Sequence, residues 1–243
     1  MPPFSKEQTL VLIKPDALKL SLTGYIISSL AEPNTGLRLA GAKLVHVTER
    51  LAREHYCEHH GKPFFDNLID YLSGRLHESE NHKRRVVALV YYGDNAVAGI
   101  RQKTGPTNPH VAREVAPWTI RALGTLFRET ETSTPPNSDR IDNLIHASAS
   151  EEEAAREIKL WFKPRDICPS LRAWPTDICD THYYCSPDGC LTTTYQKGTT
   201  CLLAPGKPAW KDDLDLLREI MQNSGLDDRI WRVAAKYLIN GDA

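Results

Sequence analysis

The chain of 243 residues has no apolar run near the ~18 residues that a membrane-spanning helix requires, which excludes that class. It has no surplus of either charge: 30 Lys and Arg stand against 31 Asp and Glu, a net charge of -1. That balance argues against a protein that holds nucleic acid by charge. Neither Gly-x-x-x-x-Gly-Lys-Ser/Thr nor Gly-x-Gly-x-x-Gly occurs, so the glycine-rich backbone cradles for phosphate are missing. Internal repeats and low-complexity tracts are absent as well. Cysteine is scarce where most of the chain lies, since only Cys57 precedes Cys168. The first residues, Met1 to Glu7, carry neither the apolar core of a signal peptide nor the arginines of a transit peptide. The expected setting is therefore the cytoplasm, with reduced thiols. An apolar content of 41% and a charged content of 25% describe a globular chain.

Residues up to 164 alternate strand-like and helix-like segments. Leu10 to Ile13 predicts a buried strand that stops at Lys14-Pro15-Asp16, because proline cannot donate to a ladder. Thr23 is expected to cap a helix with Ile26, Ile27 and Leu30 on its apolar positions. Asn34 to Gly36 reads as a turn, and residues 37–47 as a strand with a bulge near Gly41. Thr48 caps a helix reaching about Tyr56, and Pro63 opens another with Phe65, Leu68, Ile69 and Leu72 at helical spacing. After an exposed polar loop, 74–85, comes the strand 86–92, and Asp94 is expected to cap the next helix. The stretch 130–139 reads as a loop and 143–146 as a short strand. Ser150 with Glu153 forms a capping box, opening a helix that ends before Pro164. The pattern is that of an α+β sandwich, a sheet covered by helices.

With glycine-rich loops missing, phosphate chemistry falls to side chains. Lys14, Arg101, Arg121 and His146 stand in four fragments suited to it. Singly, each has a plainer reading: a solvated strand end for Lys14, surface solubility for the arginines, a half-buried histidine for His146. Neither arginine lies on an apolar stripe, so charge is expected to matter to transfer more than to folding. Glu157 borders the buried face of its helix, between Ala154 and Trp161. A carboxylate there needs a partner, and His146 on the same strand–helix unit is the natural one. Such a contact orients an imidazole for nucleophilic work.

Five fragments in order give this sequence its likeness to a family. They are Lys14-Pro15-Asp16; Glu54-His55-Tyr56 with Lys62-Pro63-Phe64-Phe65; Arg101 before Thr107-Asn108-Pro109; Thr119-Ile120-Arg121; and Asn143-x-x-His146-x-Ser148 with Glu157 eleven residues after the histidine. Over residues 6–164 the chain resembles nucleoside diphosphate kinase. The resemblance implies a ferredoxin-like sandwich with a mainly antiparallel four-stranded sheet. It implies transfer of the γ-phosphate of a nucleoside triphosphate to a nucleoside diphosphate through phospho-His146. It further implies that Lys14, Tyr56, Arg101, Thr107, Arg121 and Asn143 hold phosphates and sugar, that Phe64 and Leu68 wedge the base, and that Ser148 and Glu157 support the histidine. Mg²⁺ carried on the nucleotide phosphates is the implied cofactor, with no protein metal cage, and a homo-oligomer is the implied assembly. Nucleoside di- and triphosphates are the expected partners, with no membrane and no specific nucleic acid. The chain departs from the family where Ala122-Leu123 follow the second arginine, where Ala147 and Ala149 flank Ser148, and where the loop 75–84 and the stretch between Arg121 and Asn143 are longer. A non-catalytic nucleotide-binding scaffold or regulatory subunit, and a protein-directed histidine phosphotransferase, stay open beside the kinase.

The remaining residues, 165–243, form a C-terminal extension beside the 1–164 domain. Residues 165–210 read as irregular, and 212–223 and 227–239 as two amphipathic helices separated at Gly225. Cys168, Cys179, Cys185, Cys190 and Cys201 lie here, with Cys185 and Cys190 flanking a turn. Ordinary thiols, a local disulfide and a metal cluster including His182 all remain open.

Overall fold

The computed structural model describes residues 6–125, 142–223 and 227–239. It divides into two compact units, residues 1–158 and 159–243.

In the first unit, β1 (Lys6–Ile13) enters α1 (Pro15–Lys19) and α2 (Thr23–Ser29). A single turn, α3 (Glu32–Thr35), leads to β2 (Arg38–Val45), α4 (Glu49–His55) and α5 (Phe65–Leu72). Then come β3 (Val86–Asp94), α6 (Ala96–Thr104), α7 (Pro109–Val115), β4 (Ile145–Ala147) and α8 (Glu151–Trp161), whose last residues belong to the second unit. The sheet has the order β2-β3-β1-β4, and all three pairings are antiparallel. β1 lies inside it, which is why Leu10 to Ile13 are apolar throughout: both faces are covered. Val11 and Ile13 point with Leu89, Tyr91, Ile145 and Ala147 into one core cluster with Ile26, Leu30 and Ile100.

The local chemistry is mostly as the sequence suggests. The register shifts between Leu39 and Gly41, where the bulge was expected. Thr48 Oγ1 accepts from Leu51 N at 3.2 Å, and Ser150 Oγ from Glu153 N at 3.2 Å, while Glu153 Oε2 accepts from Ala149 N. Three details differ. Thr23 is the first helical residue of α2 and not its cap, and Ile27 is exposed because Ile26 and Leu30 already fill the buried side. The turn at Asn34 to Gly36 is the end of α3, closed by Gly36 at φ 71°. Asp94 ends β3; Asn95 precedes α6, and the carboxylate that accepts from its first turn is Glu7, from Val97 N at 3.2 Å. The expected loop at 130–139 lies outside the described residues.

The second unit corrects the reading of 165–210 as irregular. β5 (Thr176–Ile178) pairs with β9 (Pro208–Trp210), and β6 (Tyr183–Cys185) lies between β7 (Leu191–Thr192) and β8 (Thr200–Leu203). Strands of two to four residues are too short for an alternation to register. α9 (Lys211–Asn223) follows, and then α10 (Ile230–Ala234), which widens into a π-helical turn, Ala235–Ile239. Leu214, Leu217, Ile220, Ile230, Val233 and Ala234 pack with Leu202, Leu203, Cys179 and Cys185 into a core of their own. All six cysteines are free thiols. Among the described residues the sulfurs form no disulfide and join no group of three possible metal ligands. Gly225 lies outside the described residues, and among those described no helix is long and apolar enough to cross a membrane.

Candidate active site

A cavity of about 610 Å³ opens in the first unit, within the range of small-molecule sites. On its walls stand nine of the residues singled out by sequence: Lys14, Tyr56, Phe64, Leu68, Arg101, Thr107, Arg121, Asn143 and His146. Five of them come from the sheet and the helices beside it. Lys14 sits where β1 turns into α1, with its N–H donating to Leu144 O at 2.9 Å. Phe64 and Leu68 come from α5 and its entry, Arg101 from α6, and His146 from β4 opposite Leu12 of β1.

The histidine is set by what lies behind it. Glu157, on α8, is 1% exposed, and its Oε1 is 2.9 Å from His146 Nε2, near but off hydrogen-bond alignment. Ser148 donates to Glu157 Oε2 at 2.7 Å and accepts from Leu10 N at 3.1 Å, tying the carboxylate to β1. The two sequence-expected supports, Ser148 and Glu157, thus lie behind the ring and not on the cavity wall. His55 completes the group: its ring meets that of His146 edge-on at 4.5 Å, and its Nδ1 is 3.7 Å from Glu157 Oε1. Arg156 donates to the carbonyls of Glu54 and His55, holding the end of α4 against α8. Burial first, and then the positive charge of Lys14 and Arg121, hold His146 well below the usual imidazole range. It is therefore neutral at pH 7, the form in which imidazole is a nucleophile.

The cations are held as firmly. Lys14 Nζ donates to Asn143 Oδ1 at 2.8 Å and lies 4.6 Å from the Tyr71 ring centroid. Burial, reinforced by Arg121, lowers it to about 7. Asn143 Nδ2 donates to Thr107 O at 3.1 Å, and Asn143 N donates to the Tyr71 hydroxyl at 2.9 Å. That hydroxyl donates to Asp16 Oδ2 at 2.8 Å, which also accepts from Leu144 N at 2.9 Å. Asp16 thereby fixes Leu144, a non-glycine residue at φ 67°, just before the histidine strand.

Arg121 departs from the expectation that it serves charge more than folding. It is 5% exposed and clamps two backbone carbonyls, Gly105 O at 2.8 Å and Ile145 O at 3.1 Å. Its Nε is buried without a partner. Arg101 is exposed, as expected of a surface arginine, and reaches the cavity from the rim. Tyr56 is buried, and burial raises its hydroxyl well above the ordinary range, so it stays a donor.

Asp16, His55, Tyr71 and Arg156 are given no role by the sequence alone. Asp16 and His55 stand inside the fragments Lys14-Pro15-Asp16 and Glu54-His55-Tyr56, where an acid next to Pro15 and a histidine beside Tyr56 are the available signal. Tyr71 reads only as an apolar helix residue, and Arg156 only as a charged one. His55, His146 and Glu157 are the one group of three possible metal ligands close together among the described residues.

A family model described as nucleoside diphosphate kinase matches residues 7–167. Among curated relatives, the nucleoside diphosphate kinase of Pyrococcus furiosus is 42% identical over 167 residues, 69% of this chain and 89% of that protein. That of Mycolicibacterium smegmatis is 42% identical over 157 residues, 64% of this chain and 94% of that one. Among solved structures, the Aquifex aeolicus nucleoside diphosphate kinase superposes with a TM-score of 0.55 at 32% identity, covering 68% of this chain and all of that one. A transition-state mimic of the Borrelia burgdorferi enzyme, with bound vanadate and ADP, gives 0.54 at 29% identity, covering 69% and 94%. The sheet, the cavity with its cations and histidine, and these relatives agree: the chain belongs to the nucleoside diphosphate kinase family and moves the γ-phosphate of a nucleoside triphosphate to a nucleoside diphosphate through a phosphohistidine.

Proposed function

We propose that His146 is the residue phosphorylated in this transfer, with Nδ1 as the nucleophile. The observation that carries the assignment is the ring's position, on the cavity wall with Nε2 2.9 Å from a buried carboxylate. In the first half-reaction Nδ1 attacks the γ-phosphorus. The N–P bond forms as the bond from phosphorus to the bridging oxygen breaks, and the nucleoside diphosphate leaves with that electron pair. A second diphosphate attacks phospho-His146 in reverse. Glu157 opposes the positive charge that the ring gains, and Ser148 keeps Glu157 in place. Phosphoryl transfer asks a protein chiefly for position and charge neutralisation, which Lys14, Arg101 and Arg121 provide. Tyr56, Thr107 and Asn143 offer neutral donors to phosphates and sugar. Phe64 and Leu68, both half-buried, offer the base an apolar face that is indifferent to its identity.

The cofactor in this reading is Mg²⁺. Among the described residues no cluster of carboxylates converges on the cavity; its acidic lining residues are Glu58 and Glu153. Such walls fit an ion that arrives on the nucleotide phosphates and keeps its own waters. Bound there, Mg²⁺ neutralises charge on the phosphates.

Residues 1–164 form the catalytic domain in this reading and 165–243 an extension. A homo-oligomer is supported by β2, an edge strand with Leu39 and Leu44 exposed. A cytoplasmic location is supported by six free thiols. The test is steady-state kinetics in a coupled assay, varying ATP at several fixed concentrations of a diphosphate acceptor. Parallel double-reciprocal lines are expected; converging lines would require both nucleotides to be bound at once and would remove the phosphohistidine route.

A further inference from the structure

The second unit contains a pocket of its own, about 220 Å³, lined by Lys163, Arg165 and Lys207, by Leu202, Leu203, Ala204 and Pro208, and by Cys201 and Tyr237. Three of these nine side chains are cationic and none is acidic. Lys163 is the unusual one. It is 4% exposed, yet its ammonium, which only donates, has no acceptor or ion-pair partner among the described residues. Burial and the neighbouring Arg165 lower its affinity for the proton, and the charge of Asp166 works against them. The acids that lie near are otherwise engaged. Asp166 accepts from the backbone N–H of Lys163 at 2.9 Å. Asp213 takes both Lys236 Nζ, at 2.7 and 2.8 Å, and the Tyr237 hydroxyl, at 2.9 Å. Tyr237 therefore offers the pocket its ring and not a free hydroxyl. Two lysines and an arginine share this mouth with no acidic side chain on its lining, and the nearby Asp166 offsets only part of their charge, so the pocket favours an anion.

We propose that this pocket is a binding site for a phosphate-sized oxyanion, separate from the catalytic cavity. Its volume is a third of that cavity and below the usual range for drug-sized ligands, which excludes a whole nucleotide. Lysine and arginine together suit a phosphate group, arginine by its paired donors and lysine as a point charge. The apolar lining accepts a small carbon body beside the charge, so the group is that of free phosphate or of a small phosphomonoester.

The experiment is equilibrium binding of labelled inorganic phosphate to the full chain at constant ionic strength, with and without saturating ADP and Mg²⁺. Methyl phosphate serves as the competing probe. Phosphate held in the catalytic cavity is displaced by ADP; one further equivalent, insensitive to ADP, is expected from the pocket. K163M should weaken that equivalent at least tenfold and K207M several-fold, with turnover unchanged in both. K163R, which keeps the charge, should retain binding, so a variant that failed to fold is recognised. Tighter competition by methyl phosphate than by unlabelled phosphate assigns the site to phosphomonoesters, and the reverse to the free ion. Absence of an ADP-insensitive equivalent, or binding that survives in K163M and K207M alike, overturns the proposal.

Discussion

Ser148 joins two roles in one hydroxyl, donating to Glu157 at 2.7 Å and accepting from Leu10 N at 3.1 Å. Ser148→Ala leaves a buried N–H unpaired and frees the carboxylate behind His146. The expected cost is about 1–2 kcal/mol of stability, read by thermal unfolding, and a roughly tenfold slower phosphoenzyme formation, read by rapid quench. An unchanged rate would deny Glu157 its part in orienting the ring. Lys14 makes a pH prediction. Its pKa falls from 10.5 unfolded to about 7 folded, so between these values the unfolded chain binds more protons and stability rises with pH. The destabilisation is fully present below pH 7 and is relieved as pH climbs toward 10.5. Unfolding free energy of the nucleotide-free protein should therefore gain more between pH 7.5 and 9.5 than that of Lys14→Met. Phosphates restore the charge, so ADP binding near pH 8 should take up protons, measured calorimetrically in buffers of different ionisation heat. At this scale the sequence disclosed the residues with distinctive chemistry in short fragments, Lys14 and His146 foremost. It did not disclose Arg121 as a clamp on Gly105 and Ile145, because a bond to a carbonyl 16 or 24 residues away leaves no mark on local pattern.

Among the elements, the turn after α6 shows how backbone and site depend on each other. Gly105 has φ +82°, and a Cβ there would come within 2.2 Å of Thr119 Oγ1. The same residue presents the carbonyl that holds Arg121. Gly105→Ala should cost about 2 kcal/mol or more and depress turnover beyond what the lost stability explains, since Arg121 loses its seat. Retention of both wild-type stability and turnover would show that the close approach is not required. Element legibility followed length and periodicity. β1, α5 and α8 could be read because a buried run or a 3.6-residue stripe spans them. β5 to β9 could not, since two to four residues fit any period. Asp94 reads as a cap by residue type alone, whereas the acceptor for α6 is Glu7, 90 residues from Val97 and brought close by the β1–β3 pairing.

For the molecule as a whole, every cavity residue lies between Lys14 and Glu153, inside the first unit, and the second unit packs a separate core. The fold of the first part was legible because its chemistry-bearing fragments come in a fixed order. The second part carried no such fragments, and its own core is assembled from short strands and two helices. A chain ended after Pro164 loses the bond from Trp210 Nε1 to Phe162 O at 2.7 Å and the burial around it. It should unfold at lower temperature and still form a phosphoenzyme. A folded truncation that no longer binds nucleotide would instead place part of the extension in the site.

The central claim is that His146 carries the phosphoryl group between nucleotides. Incubation of the full chain with γ-labelled ATP and Mg²⁺, followed by acid and base treatment, tests it most directly. The expected result is label that survives base, is lost in acid, passes to an added nucleoside diphosphate, and is absent from His146→Ala. Full label on His146→Ala, or a native chain that takes no label while hydrolysing or transferring phosphate, would contradict it.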